Sequence, residues 1–403
     1  MSTPAVRTFH LVLRAASMMA SVVVAGCQLD RLDVTFPLGD PRHDGAVGEG
    51  GVGVPSAGLR VRGSEIVDAT GNAIRLTGVT WHGLETAEFA PAGLWTRPLA
   101  SLMGQIRALG YNSVRFTISF RLLDPDALSQ GVNTRLNPGL NEMPGLSMLD
   151  RVIDEADRND LKVILSQSGW APDLEEALWY NDTYSEDDWI ARWQSLAVRY
   201  QSRSNVIGFE LHNSPHNTPT IIPNWGDGGP ADWLAAATRA GNAVLAIHPR
   251  LLIFVVGVHQ VGDDPYWWGG NLTGAEHRPV QLDIPNRVVY AAHEYPRTIF
   301  PQPWFSADTN YFEQLPPVWS KYWGFLVEKN IGPVWIAEFG TADEFGWLQA
   351  LLDYATSHGG HFAYRAFNPN TFPPLGGVLT DDWQTVNQDK QGRLSLALAP
   401  LIP

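Results

Sequence analysis

Ionisable side chains cluster at the ends of apolar runs in this chain. Run 113–119 carries Arg115. Run 206–213 ends His212-Asn213 and continues into Ser214-Pro215. Run 288–295 ends His293-Glu294-Tyr295, and run 334–340 ends Glu338-Phe339-Gly340. Run 361–368 contains Arg365 and ends at Asn368. Such groups can hold a carboxylate ionised, move protons or attack an electrophile. Burying them costs stability unless they are paired or put to use. One such histidine is an ordinary satisfied core residue. The whole set in register points to one site.

The elements that must position these groups follow a repeating pattern. Eight short apolar runs occur at 77–81, 113–119, 162–166, 206–213, 251–258, 288–295, 334–340 and 361–368. Helical patterns lie between them at 99–109, 146–157, 187–201, 231–247, 311–329 and 347–356. This alternation predicts an α/β fold with a parallel sheet closed into a (β/α)8 TIM barrel. An open doubly wound sheet would carry a Gly-rich phosphate loop after an early strand, and none is present. A short β-hairpin is expected over 59–78, before the first barrel strand, with its turn at Thr70-Gly71-Asn72. A site in a TIM barrel lies at the C-terminal ends of the strands, where the polar residues fall.

Composition sets the outer bounds. The chain has 403 residues, a net charge of −14 and a pI of about 5.2, which argues against a nucleic-acid binder, since that needs a basic face. Its 16 tryptophans suit sugar-ring stacking, although ordinary core filling is the first expectation for most of them. The lone cysteine, Cys27, excludes an intrachain disulfide framework. It follows Arg7, Arg14 and an apolar run of residues 15–26 too short to span a bilayer. Val24-Ala25-Gly26-Cys27 resembles a bacterial lipobox. The expected organisation is therefore a lipoprotein signal peptide over 1–26, lipidation at Cys27, a flexible tether over 27–58 and the barrel over 59–403. That implies an exported protein held at the membrane of the cell envelope.

Several segments then resemble glycoside hydrolase family 5, the cellulase family, and its bacterial endoglucanase catalytic domains. They are Leu76-Thr-Gly-Val-Thr-Trp81, Gly93-Leu-Trp95, Gly208-Phe-Glu-Leu-His-Asn213, Ala240-Gly-Asn-Ala-Val-Leu245, Tyr266-Trp-Trp-Gly-Gly-Asn-Leu272, Val334-Trp-Ile-Ala-Glu-Phe-Gly340 and Gly376-Gly-Val-Leu-Thr-Asp-Asp-Trp383. The resemblance implies Glu338 as a retaining nucleophile, with Arg115, His293 and Tyr295 supporting it. It implies Asn213 on the sugar 2-hydroxyl, His212 beside it, and a β-glucan substrate. Trp81 and Trp268 are further substrate-side candidates, along with Trp170, Trp179, Trp225, Trp267 and Trp383. No cofactor and no metal are implied, since the histidines and carboxylates fit the glycosidase pattern better than a His-x-x-x-His or Cys-based site. A monomer is expected.

Three departures stand against that pattern. The family's Asn-Glu-Pro is Asn213-Ser214-Pro215 here, which removes the general acid/base. A histidine position after the third run is occupied within Ser166-Gln167-Ser168, and the tryptophan under the reacting sugar aligns with Arg365. Loss of general acid catalysis costs roughly 10²–10⁴-fold, so hydrolysis is expected to be weak or altered. The close alternative is an inactive β-glucan-binding surface lipoprotein. Glu210 lies too deep to serve as the acid, and Glu294 has the wrong strand parity. Glu85, Asp173, Glu175 and Glu176 lie on top-face loops, and the expectation is that none takes over. For Arg365, drift in a site under no catalytic demand or an ion pair with Glu338 is expected ahead of binding an anionic substrate.

Overall fold

The computed structural model describes residues 58–369 and 375–402. The expected signal segment, Cys27 and all but the last residue of the expected tether lie outside the described residues. A three-stranded antiparallel sheet comes first, made of β1 (Arg60–Arg62), β2 (Glu65–Val67) and β3 (Ala73–Ile74). It includes the expected hairpin.

The barrel strands are β4 (Thr77–Thr80), β5 (Ser113–Ser119), β6 (Lys162–Gly169), β7 (Val206–Glu210), β8 (Leu252–Val256), β11 (Val288–Glu294), β12 (Val334–Phe339) and β13 (His361–Arg365). The small antiparallel pair β9 (Gln260–Val261) and β10 (Asp264–Pro265) lies on the loop after β8. All barrel neighbours are parallel in chain order, and β13 pairs back onto β4 to close the ring. Strands covered on both faces need no polar alternation, and Leu-Ile-Phe-Val-Val of β8 is wholly buried.

The surrounding helices start where side chains can satisfy free N–H groups. Ser185 caps α3 (Glu186–Arg199) in a reciprocal pair with Asp188, and Asp232 accepts from the Ala235 N–H at the start of α4 (Trp233–Ile247). Helix α1 (Leu99–Ala108) follows β4. Helix α2 (Gly145–Arg158) buries Met148, Leu149, Val152, Ile153 and Ala156, one apolar stripe facing the barrel.

Two elements differ from the sequence reading. The pattern over 311–329 is four pieces: a 3-10 turn (Tyr311–Gln314), α5 (Pro316–Trp319), a π turn (Ser320–Gly324) and α6 (Phe325–Glu328). Pro316 and Pro317 lack the N–H that would continue a helix, so they can only begin one. After α7 (Phe345–Ser357), helix α8 (Gln388–Ala397) was not expected. It buries only Leu394 and Ala397 of its apolar side chains, and polar contacts add to its hold: Asn387 caps it and the Tyr111 hydroxyl donates to Gln391 at 2.7 Å. Hydropathy periodicity is blind to such a helix.

One ion pair braces the barrel interior. Arg115 of β5 donates from Nε and Nη2 to the two oxygens of Glu210 on β7, both at 2.7 Å, and Nη2 also reaches Ser166 Oγ on β6 at 3.0 Å. Arg115 and Glu210 are both fully buried. Breaking one half of such a pair strands the other charge. Glu210→Ala should therefore cost roughly 3–5 kcal/mol of unfolding free energy in a denaturant titration.

Candidate active site

Glu338 lies near the C-terminal end of β12, with His293 of β11 beside it in the ladder. Its carboxylate is almost fully buried. One oxygen accepts from the Tyr295 hydroxyl and from Arg365 Nη1. The other accepts from Asn213 Nδ2 at 3.3 Å and lies 3.6 Å from Arg115 Nη1. Burial by itself would raise its pKa. The charges of Arg365 and Arg115 and the Tyr295 hydroxyl, joined at acid pH by a protonated His293, outweigh that and hold it well below the usual carboxylate range. Glu338 is thus an anion at any physiological pH. Burial pushes His293 below its ordinary value despite the neighbouring Glu338 charge, so the imidazole is neutral near pH 7.

Arg365, at the end of β13, also donates to Tyr295 Oη at 3.0 Å. The expected pairing of Arg365 with Glu338 is present. The site therefore brings together Arg115, from within β5, and Asn213, Ser214, His293, Tyr295, Glu338 and Arg365, at or just past the ends of their strands. Above them opens a cleft of about 540 Å³, lined among others by Glu175, Ser214, Trp267, Trp268, Tyr295, Glu338 and Arg365. That is ordinary size for a small-ligand site.

Other candidates lie elsewhere. Trp81 is fully buried, packs against Phe116 and Phe367, and donates its indole N–H to the Ala92 carbonyl. It is a core residue and presents no face to a substrate. His212 is also fully buried, and its Nδ1 donates to Gln167 Oε1 at 2.7 Å among Trp179 and Trp233. It props the strand end and lines no cleft. Trp170, Trp179 and Trp225 are buried with their indole N–H groups bonded inside the protein. Trp383 packs edge-on against the half-exposed Trp95. Trp268, 46% exposed and stacked flat on His216 at 3.8 Å, offers a face to the cleft.

The loop that carries Trp268 is anchored from behind. Tyr266 Oη and Trp323 Nε1 both donate to Glu294 Oε1, at 2.5 and 2.7 Å. Glu294 faces away from the cleft, as its strand parity requires. Gly269 approaches the site so closely, with φ +70°, that a Cβ there would lie 2.8 Å from His293 and 2.9 Å from Ser214.

Ser168 and Ser214 have different surroundings. Ser168 Oγ donates to the Ile118 carbonyl at 3.2 Å. Ser214 Oγ donates to Glu175 Oε1 at 2.9 Å. The other top-face carboxylates are engaged locally. Glu85 pairs with His82 Nδ1 at 2.6 Å and accepts from the Gly83 N–H. Glu176 accepts from the Trp170 N–H and Asn181, and Asp173 accepts from the Ala87 N–H. Only Glu175 among these four lines the cleft. Periodicity could not have singled it out, because loop reach leaves no periodic trace.

Taken together, fold and site define a barrel with an ionised carboxylate at the floor of a cleft on its strand C-termini, the layout of a barrel glycosidase. The family model for cellulase (glycosyl hydrolase family 5) matches residues 67–370, and the chain belongs to that family. It is 38% identical over 351 residues to an endoglucanase of Paenibacillus polymyxa, covering 85% of this chain and 87% of that protein. It is 34% identical over 344 residues to the major extracellular endoglucanase of Xanthomonas campestris pv. campestris, covering 81% and 68%. An endocellulase of Pyrococcus horikoshii, solved in complex with cellotetraose, superposes with a TM-score of 0.79 at 31% identity, covering 86% of this chain and all of that one.

Burial pushes the Glu294 carboxyl up to about 8, against the opposing hydrogen bonds of Tyr266 and Trp323. An acid whose folded pKa lies above its unfolded value stabilises fully below the unfolded pKa and loses that contribution as pH rises through the folded one. Stability should fall between about pH 4.5 and 8 from this group. Glu294→Gln keeps an acceptor for both donors, so its unfolding free energy should be flatter across that window in denaturant titrations.

Proposed function

We propose that this chain is a retaining β-glucan hydrolase of family 5 whose hydrolysis is weak or altered, with Glu338 as its nucleophile. The observation that carries the reading is the state of Glu338. It is anionic, oriented by Tyr295, Asn213 and Arg115, and set at the floor of an open cleft. A retaining glycosidase needs such a carboxylate to attack the anomeric carbon. Trp268 supplies an apolar face for a sugar ring, and the similar endoglucanases and the cellotetraose complex support a β-1,4-linked glucan. Position 214 itself supplies no acid, since a serine hydroxyl does not give up a proton near neutrality.

A second reading has its own observation. Arg365 is bonded directly to Glu338, and a guanidinium in contact with a carboxylate lowers its nucleophilicity. On that reading the cleft binds β-glucan and does no chemistry. A 2-deoxy-2-fluoro-cellobioside with a dinitrophenolate leaving group separates the two, because it needs a nucleophile and no acid. Mass spectrometry should find a covalent adduct on the peptide that contains Glu338. Binding of cello-oligosaccharides with no adduct would establish the non-catalytic reading.

We also propose that the protein acts as a monomer at the cell envelope, anchored by lipid at Cys27 after cleavage of residues 1–26. Several acyl chains give stable attachment where a single chain does not. Expressed in a bacterial host, Cys27→Ala should move the protein from the membrane to the soluble fraction, and recovery with the membrane regardless would contradict the anchor.

A further inference from the structure

Glu175 stands on the loop after β6, open to solvent on its outer side, with its carboxyl turned into the cleft. Its partner there is the hydroxyl of Ser214, the residue in place of the family's acid. The two positions are related by length. In a glutamate at 214, the carboxyl oxygens would lie about 2.4 Å beyond Cγ, a distance fixed by two covalent bonds and the angle between them. Ser214 Oγ occupies the same place along the side chain as that Cγ. Glu175 Oε1 lies 2.9 Å from it. A hydrogen bond thus spans nearly what two covalent bonds would span, and a carboxyl group stands beside the position left by the lost one.

We propose that Glu175 is the general acid/base of this site, carried to the leaving-group oxygen by its hydrogen bond to Ser214. The proposal rests on the reading of Glu338 as nucleophile. Its protonation state fits the role. Crowding by the cleft walls and the charge of Glu338 raise the Glu175 pKa to about 7, against the opposing influence of Arg365 and Ser214, and water at its exposed side moderates the shift. The two carboxyls are thereby driven apart, one ionised and one able to hold a proton near neutrality, as an acid and a nucleophile require. A hydroxyl donates or accepts, so Ser214 can keep its partner in either state.

The chemistry balances without further reagents. A Glu338 oxygen attacks the anomeric carbon while the bond from that carbon to the glycosidic oxygen breaks. The bonding pair goes to that oxygen, which takes the proton from Glu175 and departs as an alcohol. Glu175, now a carboxylate, removes a proton from water as the water oxygen attacks the anomeric carbon. The ester to Glu338 breaks, its electron pair returns to Glu338, and Glu175 is left protonated.

The test compares Glu175→Gln and Glu175→Ala with the unaltered protein on cellotetraose and on dinitrophenyl β-cellobioside. Glu175→Gln should lower kcat/KM on cellotetraose by about 10²–10⁴-fold and leave the first, adduct-forming step on the dinitrophenyl substrate nearly unchanged. Azide needs no general base, so it should restore turnover of the dinitrophenyl substrate by Glu175→Ala and yield the β-glycosyl azide. Adding Ser214→Glu to Glu175→Gln should recover part of the lost cellotetraose activity. An unaltered protein that forms the Glu338 adduct, with Glu175→Gln as active on cellotetraose as its parent, would overturn the role of Glu175 and leave the nucleophile standing. Absence of both adduct and turnover in the unaltered protein would overturn the two together.

Discussion

The charge on Glu338 is the interaction on which the site depends. A carboxylate this buried would hold its proton unless cations and donors surrounded it. Four groups from four strands or their extensions converge on it: Arg115, Asn213, Tyr295 and Arg365. Arg115 cannot wander toward the cleft, because Glu210 grips it in a bidentate pair from within the barrel. The order is thus a chain of constraint. Glu210 fixes Arg115, Arg115 and Arg365 keep Glu338 ionised, and Glu338 in turn raises the proton affinity of the carboxyl across the cleft.

Arg365 gives this site its particular character. The guanidinium ties Glu338 to Tyr295. It strengthens the anion and reduces its readiness to attack. On the proposed reading, that opposition slows the attack even with an acid in place. The rest of the cleft leans on apolar surface from Trp267 and Trp268, on a loop pinned behind by Glu294.

Much of this was legible in the residues. All eight barrel strands fall on the apolar runs, because parallel strands covered on both sides have no need of polar alternation. The polar residues at run ends locate the site, since buried charge at a strand end demands a partner or a use. Parity placed Glu294 outward and depth placed Glu210 inward, which the structure bears out. Side-chain burial was less legible. Trp81 and His212 stand next to site residues in the chain and yet point into the core, where Ala92 and Gln167 satisfy their N–H groups. Helix α8 buries too few apolar residues, Leu394 and Ala397, to leave a periodic trace, and the Pro316-Pro317 break sits inside a longer amphipathic pattern that hides it. The contact between Glu175 and Ser214 was illegible for a different reason. It depends on how far one loop folds back over the strand ends, which no residue spacing encodes.

The most direct test of a site with both an ionised nucleophile and a proton donor is its sensitivity to the leaving group. The first-step rate would be measured on a series of aryl β-cellobiosides whose phenols span several pKa units. A donated proton neutralises charge on the departing oxygen, so the account predicts a shallow dependence of log rate on phenol pKa. A steep dependence, with activity confined to the most acidic phenols, would mean that no proton is delivered and would contradict it.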